Sequence, residues 1–407
     1  MEETRNAPFS NGEDRISRTS FPEDEEYDER FVYFVDLVFI LHDDSDIQRF
    51  SLCWHSFRYD DIMTRHVNRW MVHSIKHNVQ EMAIYNTDRH LAYAIPHQLL
   101  NCKSLTKLQM QMYRVLEYVD TTLPKSMCLP RLKFLWLGGF SIANVELSKR
   151  LFSSCPALET LVIANSDIQT DDLRNLIVDS LSLKKFNYFN HYVHLLPHNN
   201  TMPTTIKLCA PNLEEFNCLS SLTQDWYLEN CSPLSRVDFD IILKAMEDES
   251  AEAYLKLPSA EKDVYAKRMM KYLGAVYMVE KMRLSAGFLE SNLAVIGDDW
   301  EAGLSLPGML SHLEYVSIEE VEGCDAELKL LSFLLKNAKV LKKLALHPRS
   351  AIDSPDSVRK QFQSRLRALP RASPHIIMHW PATKRTEHTL KFSKGGFGIS
   401  ALGEWNL

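Results

Sequence analysis

One pattern of apolar positions recurs along most of the chain. With Φ for an apolar residue, the pattern is Φ-x-x-Φ-x-Φ. Its eleven copies begin at Ile47, Val79, Leu105, Leu132, Leu158, Leu183, Leu213, Leu234, Val279, Leu313 and Leu341. Alternate side chains of an extended segment point to the same face. The last two Φ residues of each copy are therefore predicted to face the core together from one short strand.

The copies follow one another at a nearly constant distance. From Val79 to Leu183 the successive steps are 26, 27, 26 and 25 residues, within the unit of about 20–29 residues typical of leucine-rich repeats. One such strand cannot bury its apolar face alone, so neighbouring repeats must stack. The pattern predicts an α/β fold, a leucine-rich-repeat solenoid of about eleven irregular repeats. It has a curved parallel sheet, with helices and loops on the convex side.

The segments between the strands are predicted to lie on the convex side. Residues 171–177 are interpreted as the beginning of a helix, because Asp171 and Asp172 would lie near the positive end of its dipole. The longest step, 45 residues from Leu234 to Val279, predicts one repeat with a helical insertion near residues 241–278.

Composition divides the chain into four predicted parts. Residues 1–30 are polar and acidic and are predicted to form a disordered tail, and residues 31–300 form the solenoid. Residues 301–383 form a further part, which turns basic after Arg349. Residues 384–407 contain a glycine cluster and little periodicity, which indicates a flexible tail.

Composition and charge exclude several classes of protein. A hydrophobic content of 45% excludes global disorder, and a net charge of −7 argues against nucleic acid and anionic membranes as partners. The apolar stretch at residues 31–41 is too short to span a bilayer. Eight scattered cysteines without a Cys-x-x-Cys pair indicate a reducing compartment, hence the cytoplasm or the nucleus or both.

No motif for catalysis or for a cofactor is recognised. His191, His194 and His198 have a spacing that suggests metal ligands, but Pro197 and the asparagines after it favour a loop with a surface histidine cluster. The glycine-rich residues 394–398 lack the Lys-Ser/Thr pair of a phosphate-binding loop. Residues 153–156 contain two serines and a cysteine, but the repeat places no base beside them. We therefore expect a protein that is not an enzyme and has no metal or cofactor.

Several segments resemble those of plant F-box/leucine-rich-repeat proteins that carry a C-terminal FBD segment. The resemblance covers about residues 30–350, and it implies that residues 301–383 form an FBD-like cap at the C-terminal end of the solenoid. The segments that carry it are residues 313–318, Gly323, residues 327–344, residues 34–36, His42, residues 47–52 and residues 155–161.

The resemblance implies a substrate-receptor role in an SCF-type cullin E3 ubiquitin ligase. Members of that family bind a Skp-type adaptor through an F-box of roughly forty residues before the first strand. Residues 1–29 lack an apolar helical stripe, and no F-box is recognised there. Two functions follow: the recognition half of a ligase, or a stand-alone leucine-rich-repeat binding, scaffold or decoy protein. A Skp-type adaptor is expected as a partner only if an F-box-like element exists.

The x positions beside the last two Φ residues should line the concave face of the arc. There we expect a target protein to bind, with Phe134 and Trp136 as its main anchors, because exposed aromatic residues dominate binding hot spots. Two alternatives stay open: an outer loop covers these residues, or the register slips by one and they face the core. The chain is predicted to be a monomer. The candidate contact residues are Lys107, Gln109, Phe134, Trp136, Val162, Lys185, Phe189 and Arg236.

Overall fold

The structure is a computed structural model of the full chain. The residues it describes are 15–17, 25–54, 62–86, 95–112, 128–142, 151–168, 175–190, 204–220, 224–241, 271–276, 278–285, 310–321, 323–348 and 356–380.

Within these residues, one parallel sheet of 13 strands organises the molecule. We number all strands in chain order. Across the sheet they are β1 Arg15–Ser17, β2 Arg49–Trp54, β3 Glu81–Asn86, β4 Lys107–Met112, β5 Phe134–Gly138, β7 Thr160–Ala164, β10 Lys185–Asn190, β12 Glu215–Ser220, β14 Arg236–Ile241, β15 Lys281–Leu284, β16 Tyr315–Val321, β17 Lys343–Pro348 and β18 Ile377–His379.

All eleven copies of the apolar pattern coincide with strands of this sheet, so the predicted solenoid is confirmed. Leu108 pairs with Leu135, Leu135 with Leu161, and Leu161 with Phe186. These side chains are buried, and so is the first Φ residue of every copy. Stacking gives each repeat the apolar cover that it lacks alone, which produces a continuous hydrophobic ladder.

A second layer of strands lies behind the centre of the sheet. Strands β9 Asn175–Asp179, β11 Thr204–Cys209 and β13 Gln224–Glu229 form a parallel sheet in the order β13-β11-β9. Strands β6 Ser141–Ile142 and β8 Asp167–Ile168 pair with each other. Trp226 of β13 packs against the buried rings of Phe186 and Phe216 at centroid distances of 5.9 and 5.1 Å. This layer is the convex side of the core.

The prediction of a helix at residues 171–177 is wrong for residues 175–177. These residues belong to strand β9. Leu176 and Val178 are buried and pair with Ile206 and Leu208 of β11. This alternation of period two matches a strand. Pairing with a neighbouring strand outweighs the weak helix signal of two acidic residues.

Helices close both ends of the solenoid. Helix α1 (Glu25–Leu41) packs against α2 (Ile62–Lys76) near the first strands, and α3 (Asp325–Asn337) packs against α4 (Asp356–Arg367) near the last. A short 3-10 helix spans Leu99–Asn101. At the start of α3 the Glu327 carboxylate accepts hydrogen bonds from the backbone N–H groups of Gly323 and Cys324 at 2.6 and 2.9 Å. This contact fixes the entry of the chain into the C-terminal cap.

Of the four predicted parts of the chain, the N-terminal segment needs a correction. The other boundaries stay predictions. The segment 1–30 contains strand β1, paired with β2, and the beginning of α1, so the expectation of a structureless tail is wrong for those residues. The pairing of β1 with β2 of the first repeat gives residues 15–17 backbone hydrogen bonds. Residues 242–270 of the predicted insertion and the predicted tail at 384–407 lie outside the described residues.

Candidate protein-binding site on the concave face

The concave face is the side of the main sheet opposite the core. Strands β4, β5, β7 and β10 are adjacent, and their outward residues align in three rows. The first row is Lys107, Phe134, Thr160 and Lys185. The second is Gln109, Trp136, Val162 and Asn187. The third is Gln111, Gly138, Ala164 and Phe189.

The structure brings seven of the eight predicted contact residues together on these four strands. The eighth, Arg236, begins β14, which is separated from β10 by β12. Phe134 and Trp136 have the expected register, because Leu135 and Leu137, which alternate with them along β5, are buried. The alternative in which these two aromatic residues face the core is therefore excluded.

An aromatic pair dominates the surface of this region. The rings of Trp136 and Phe189 stack with centroids 6.2 Å apart and planes at 29°. They project from β5 and β10, so they meet across the intervening strand β7. Both side chains keep part of their surface exposed. A rigid, partly exposed aromatic pair is the kind of feature that anchors a protein partner.

Val162 needs a correction. It lies on the concave face as expected, but its side chain is only 2% exposed. Trp136 and Asn187 flank it in register, and the aromatic pair spans its strand. These larger neighbours cover the short side chain, so Val162 supports the aromatic pair from below and is not available as a contact residue.

The orientation of the Trp136 indole depends on two residues absent from the predicted contact set. The Gln111 side-chain oxygen accepts a hydrogen bond from Trp136 Nε1 at 3.0 Å. Gln111 in turn occupies the space above Gly138, where a Cβ atom would lie 2.0 Å from Gln111 Oε1. The sequence signal was a glycine inside a strand, which often marks the close approach of another group.

Polar and charged groups flank the aromatic pair. Lys107 lies over the Phe134 ring with Nζ 5.3 Å from its centroid, and Lys185 forms a 2.8 Å ion pair with Glu215. Gln109 accepts a 3.4 Å hydrogen bond from the Tyr85 hydroxyl. This arrangement gives an apolar centre with a polar rim, as in protein interfaces.

Beyond β12 the concave face changes to a network of charges. Arg283 pairs with Asp238 at 2.8 Å and with Glu319 at 3.2 Å. Burial opposes the charge of Arg283, but these two carboxylates, together with Asp240, raise its pKa. Arg236 lies beside this network, next to Asp238 on β14. Arg236, which was predicted as a contact residue, therefore lies close to acidic side chains.

Burial raises the pKa of Asp240 to about 6, and the nearby Asp238 and Glu320 act in the same direction. Arg283 and a hydrogen bond from Ser285 oppose this shift. The free-energy cost of desolvating the Asp240 carboxylate is thus larger than the stabilisation it gains from Arg283 and Ser285.

Cys155, the cysteine of residues 153–156, is unsuited to act as a nucleophile. Burial raises the pKa of Cys155 to about 12, and nucleophilic attack requires the thiolate. The side chain fills space in the core beside the first Φ residue of its repeat. His191, His194, His198 and residues 394–398 lie outside the described residues.

Comparison with known proteins gives the same architecture. Residues 67–232 match the family described as "FBD-associated F-box protein At5g56370, LRR repeats". Residues 306–346 match the FBD family and cover β16, α3 and most of β17. These two matches make residues 67–232 similar to the repeats of that family and residues 306–346 similar to its FBD segment.

Three similar proteins come from Arabidopsis thaliana. F-box/FBD/LRR-repeat protein At1g78750 is 25% identical over 84% of this chain and 81% of its own length. The putative F-box/FBD/LRR-repeat protein At1g66300 is 26% identical over 84% of this chain and 80% of its own. F-box/LRR-repeat protein At1g06630 is 28% identical over 79% and 70%.

No solved structure matches the chain. Among the described residues, none of the helices combines the length and the apolar character that crossing a bilayer requires.

Proposed function

We propose that the chain is a non-enzymatic recognition module, the substrate-receptor part of an SCF-type ubiquitin ligase. In this proposal the concave face binds a target protein, with Trp136 and Phe189 at the centre of the contact. The observation that carries the proposal is the stacked aromatic pair, which is partly exposed and in which Gln111 accepts a hydrogen bond from the Trp136 indole.

The flanking groups suit a protein partner. Aromatic residues that are already ordered lose little conformational freedom on binding, so more of the contact energy appears as affinity. Lys107 at the edge favours a partner with acidic residues around an apolar centre. The relatives named as F-box/FBD/LRR-repeat proteins support the ligase setting.

Affinity capture from a plant extract tests the concave face. The full chain, Trp136→Ala and Tyr227→Ala serve as baits. Tyr227 is a matched control, because it is an exposed aromatic residue on β13 of the convex layer. Proteins that bind the full chain and Tyr227→Ala but not Trp136→Ala support the proposal. Equal capture by all three baits contradicts it.

A second experiment addresses the ligase setting separately. The purified full chain is mixed with a purified Skp-type adaptor, and binding is measured directly. Binding supports the substrate-receptor role. Target capture at the concave face without adaptor binding favours the alternative function, a stand-alone leucine-rich-repeat binding, scaffold or decoy protein.

A further inference from the structure

Three histidine side chains meet at the N-terminal end of the solenoid, outside the concave-face site. His73 lies in the last turn of α2, His77 follows that helix at once, and His42 follows α1 directly. One ring nitrogen of each lies within 4.8 Å of one ring nitrogen of the other two. The His77 ring centroid is 4.5 Å from that of His73 and 4.9 Å from that of His42.

A backbone contact fixes the tautomer of one member of this cluster. His77 Nδ1 lies 3.3 Å from the carbonyl oxygen of Ser45. A carbonyl oxygen only accepts hydrogen bonds, so Nδ1 carries the proton and Nε2 of the neutral ring has a free lone pair. Histidines that bind metals are commonly oriented by such a bond from the other ring nitrogen.

Two further nitrogens in the cluster lack a partner. His42 Nδ1 and His73 Nε2 are buried atoms, and no hydrogen-bonding group of the described residues reaches them. Buried polar atoms nearly always have a partner. Two unpartnered ring nitrogens in one histidine cluster are an independent sign that a ligand belongs there.

The surrounding charges favour a cation. The loop between α1 and β2 carries Asp43, Asp44 and Asp46. Asp43 accepts a hydrogen bond from the Ser45 N–H, and Asp46 accepts one from the Asn78 side chain, so these two carboxylates are held in place. Lys76 at the end of α2 opposes this negative charge with one positive charge.

We propose that His42, His73 and His77 form a binding site for a divalent transition metal ion, with Zn²⁺ as the best match. Three imidazoles and a water complete a tetrahedral site. Zn–N bonds of about 2.0–2.1 Å place the nitrogens about 3.4 Å apart, so the rings must move closer together when the ion binds. The ion joins the end of α1 to the end of α2 and fastens the N-terminal cap of the solenoid.

Metal titration of the tag-free full chain tests this site. Co²⁺ is added first, because its visible absorption reports tetrahedral nitrogen coordination, and Zn²⁺ is then used to displace it. We expect one equivalent of Co²⁺ to bind and one equivalent of Zn²⁺ to abolish the absorption. Mg²⁺, which prefers oxygen ligands, should not compete.

Variants assign the binding to the three residues. His42→Ala and His73→Ala should lose the stoichiometric Co²⁺ signal, and His312→Ala, which removes an exposed histidine near β16, should keep it. His42 lies in a loop, so this variant keeps helix α2 intact even if His73→Ala fails to fold. Zn²⁺ should also raise the thermal midpoint of the full chain but not that of His42→Ala. The proposal is overturned if the full chain binds no stoichiometric metal or if His42→Ala binds it equally well.

Discussion

Replacing Gly138 by alanine tests how the Trp136 indole is held in place. The new Cβ would lie 2.0 Å from Gln111 Oε1 and 2.5 Å from Gln111 Cδ, so the Gln111 side chain must move. It would lose its hydrogen bond from Trp136, which contributes about 1 kcal/mol. Displacing a packed side chain costs about 1 kcal/mol more, and alanine recovers about 0.5 kcal/mol over glycine. The net loss of stability is about 1.5 kcal/mol.

The same substitution should have the opposite effect once Gln111 is shortened. In a Gln111→Ala chain the space above Gly138 is empty, so Gly138→Ala retains only the gain of about 0.5 kcal/mol. The two substitutions should therefore be coupled by about 2 kcal/mol in a double-mutant cycle. Urea unfolding of the four proteins measures this coupling, and the near-ultraviolet circular dichroism of the folded state reports the environment of the indole.

Gly139 provides the matched control. Its φ is +73°, and a Cβ there would lie 2.1 Å from the backbone oxygen of Met112, which cannot rotate away. Gly139→Ala should thus be destabilising whether or not Gln111 is present. A Gly138→Ala variant that loses the same stability in both backgrounds would refute the role of Gln111.

Three further predictions address the core and the charged half of the sheet. Leu161→Ala should cost about 2–5 kcal/mol in urea unfolding because it leaves a cavity in the ladder, whereas Leu181→Ala, at an exposed position (74%), should change stability by no more than about 0.5 kcal/mol. Arg283→Ala leaves buried carboxylates without their counter-ion and should cost about 3 kcal/mol, against at most about 1 kcal/mol for Lys185→Ala. Asp240→Asn should stabilise the chain at pH 7. The folded-state pKa of Asp240 lies near 6, above the ordinary value of 3.8, so its carboxylate destabilises the fold increasingly as pH rises from about 4 to 6, by at most about 3 kcal/mol. The stabilisation by Asp240→Asn should disappear at pH 4, and a gain that is independent of pH would contradict the assignment.

The solenoid was predictable because its main signal is local and repeated. The positions of Leu108, Leu135 and Leu161 follow from spacing alone, and the same spacing placed Phe134 and Trp136 on the opposite face. Residues 175–179 form a strand because they pair with β11, which begins about 30 residues later in the chain. The acidic residues at 171 and 172 carry no information about that pairing.

The details of the concave face depend on contacts between repeats. Trp136 and Phe189 are separated by 53 positions, and their stacking follows only from the register of three strands. The covering of Val162 is a consequence of the size of its neighbours. Likewise His42 and His73 are 31 positions apart and come together only through the packing of α1 on α2, so they have no close metal-ligand spacing in the sequence.

Site-directed photo-crosslinking tests most directly whether the concave face binds a protein. A benzophenone amino acid replaces Thr160, which lies between Phe134 and Lys185 in the first row, and in a second protein it replaces Lys207 on β11 of the convex layer. After illumination in a plant extract, we expect a discrete cross-linked protein from position 160, and we expect Trp136→Ala to abolish it. A product from position 207 alone, or one from position 160 that survives Trp136→Ala, would contradict the account.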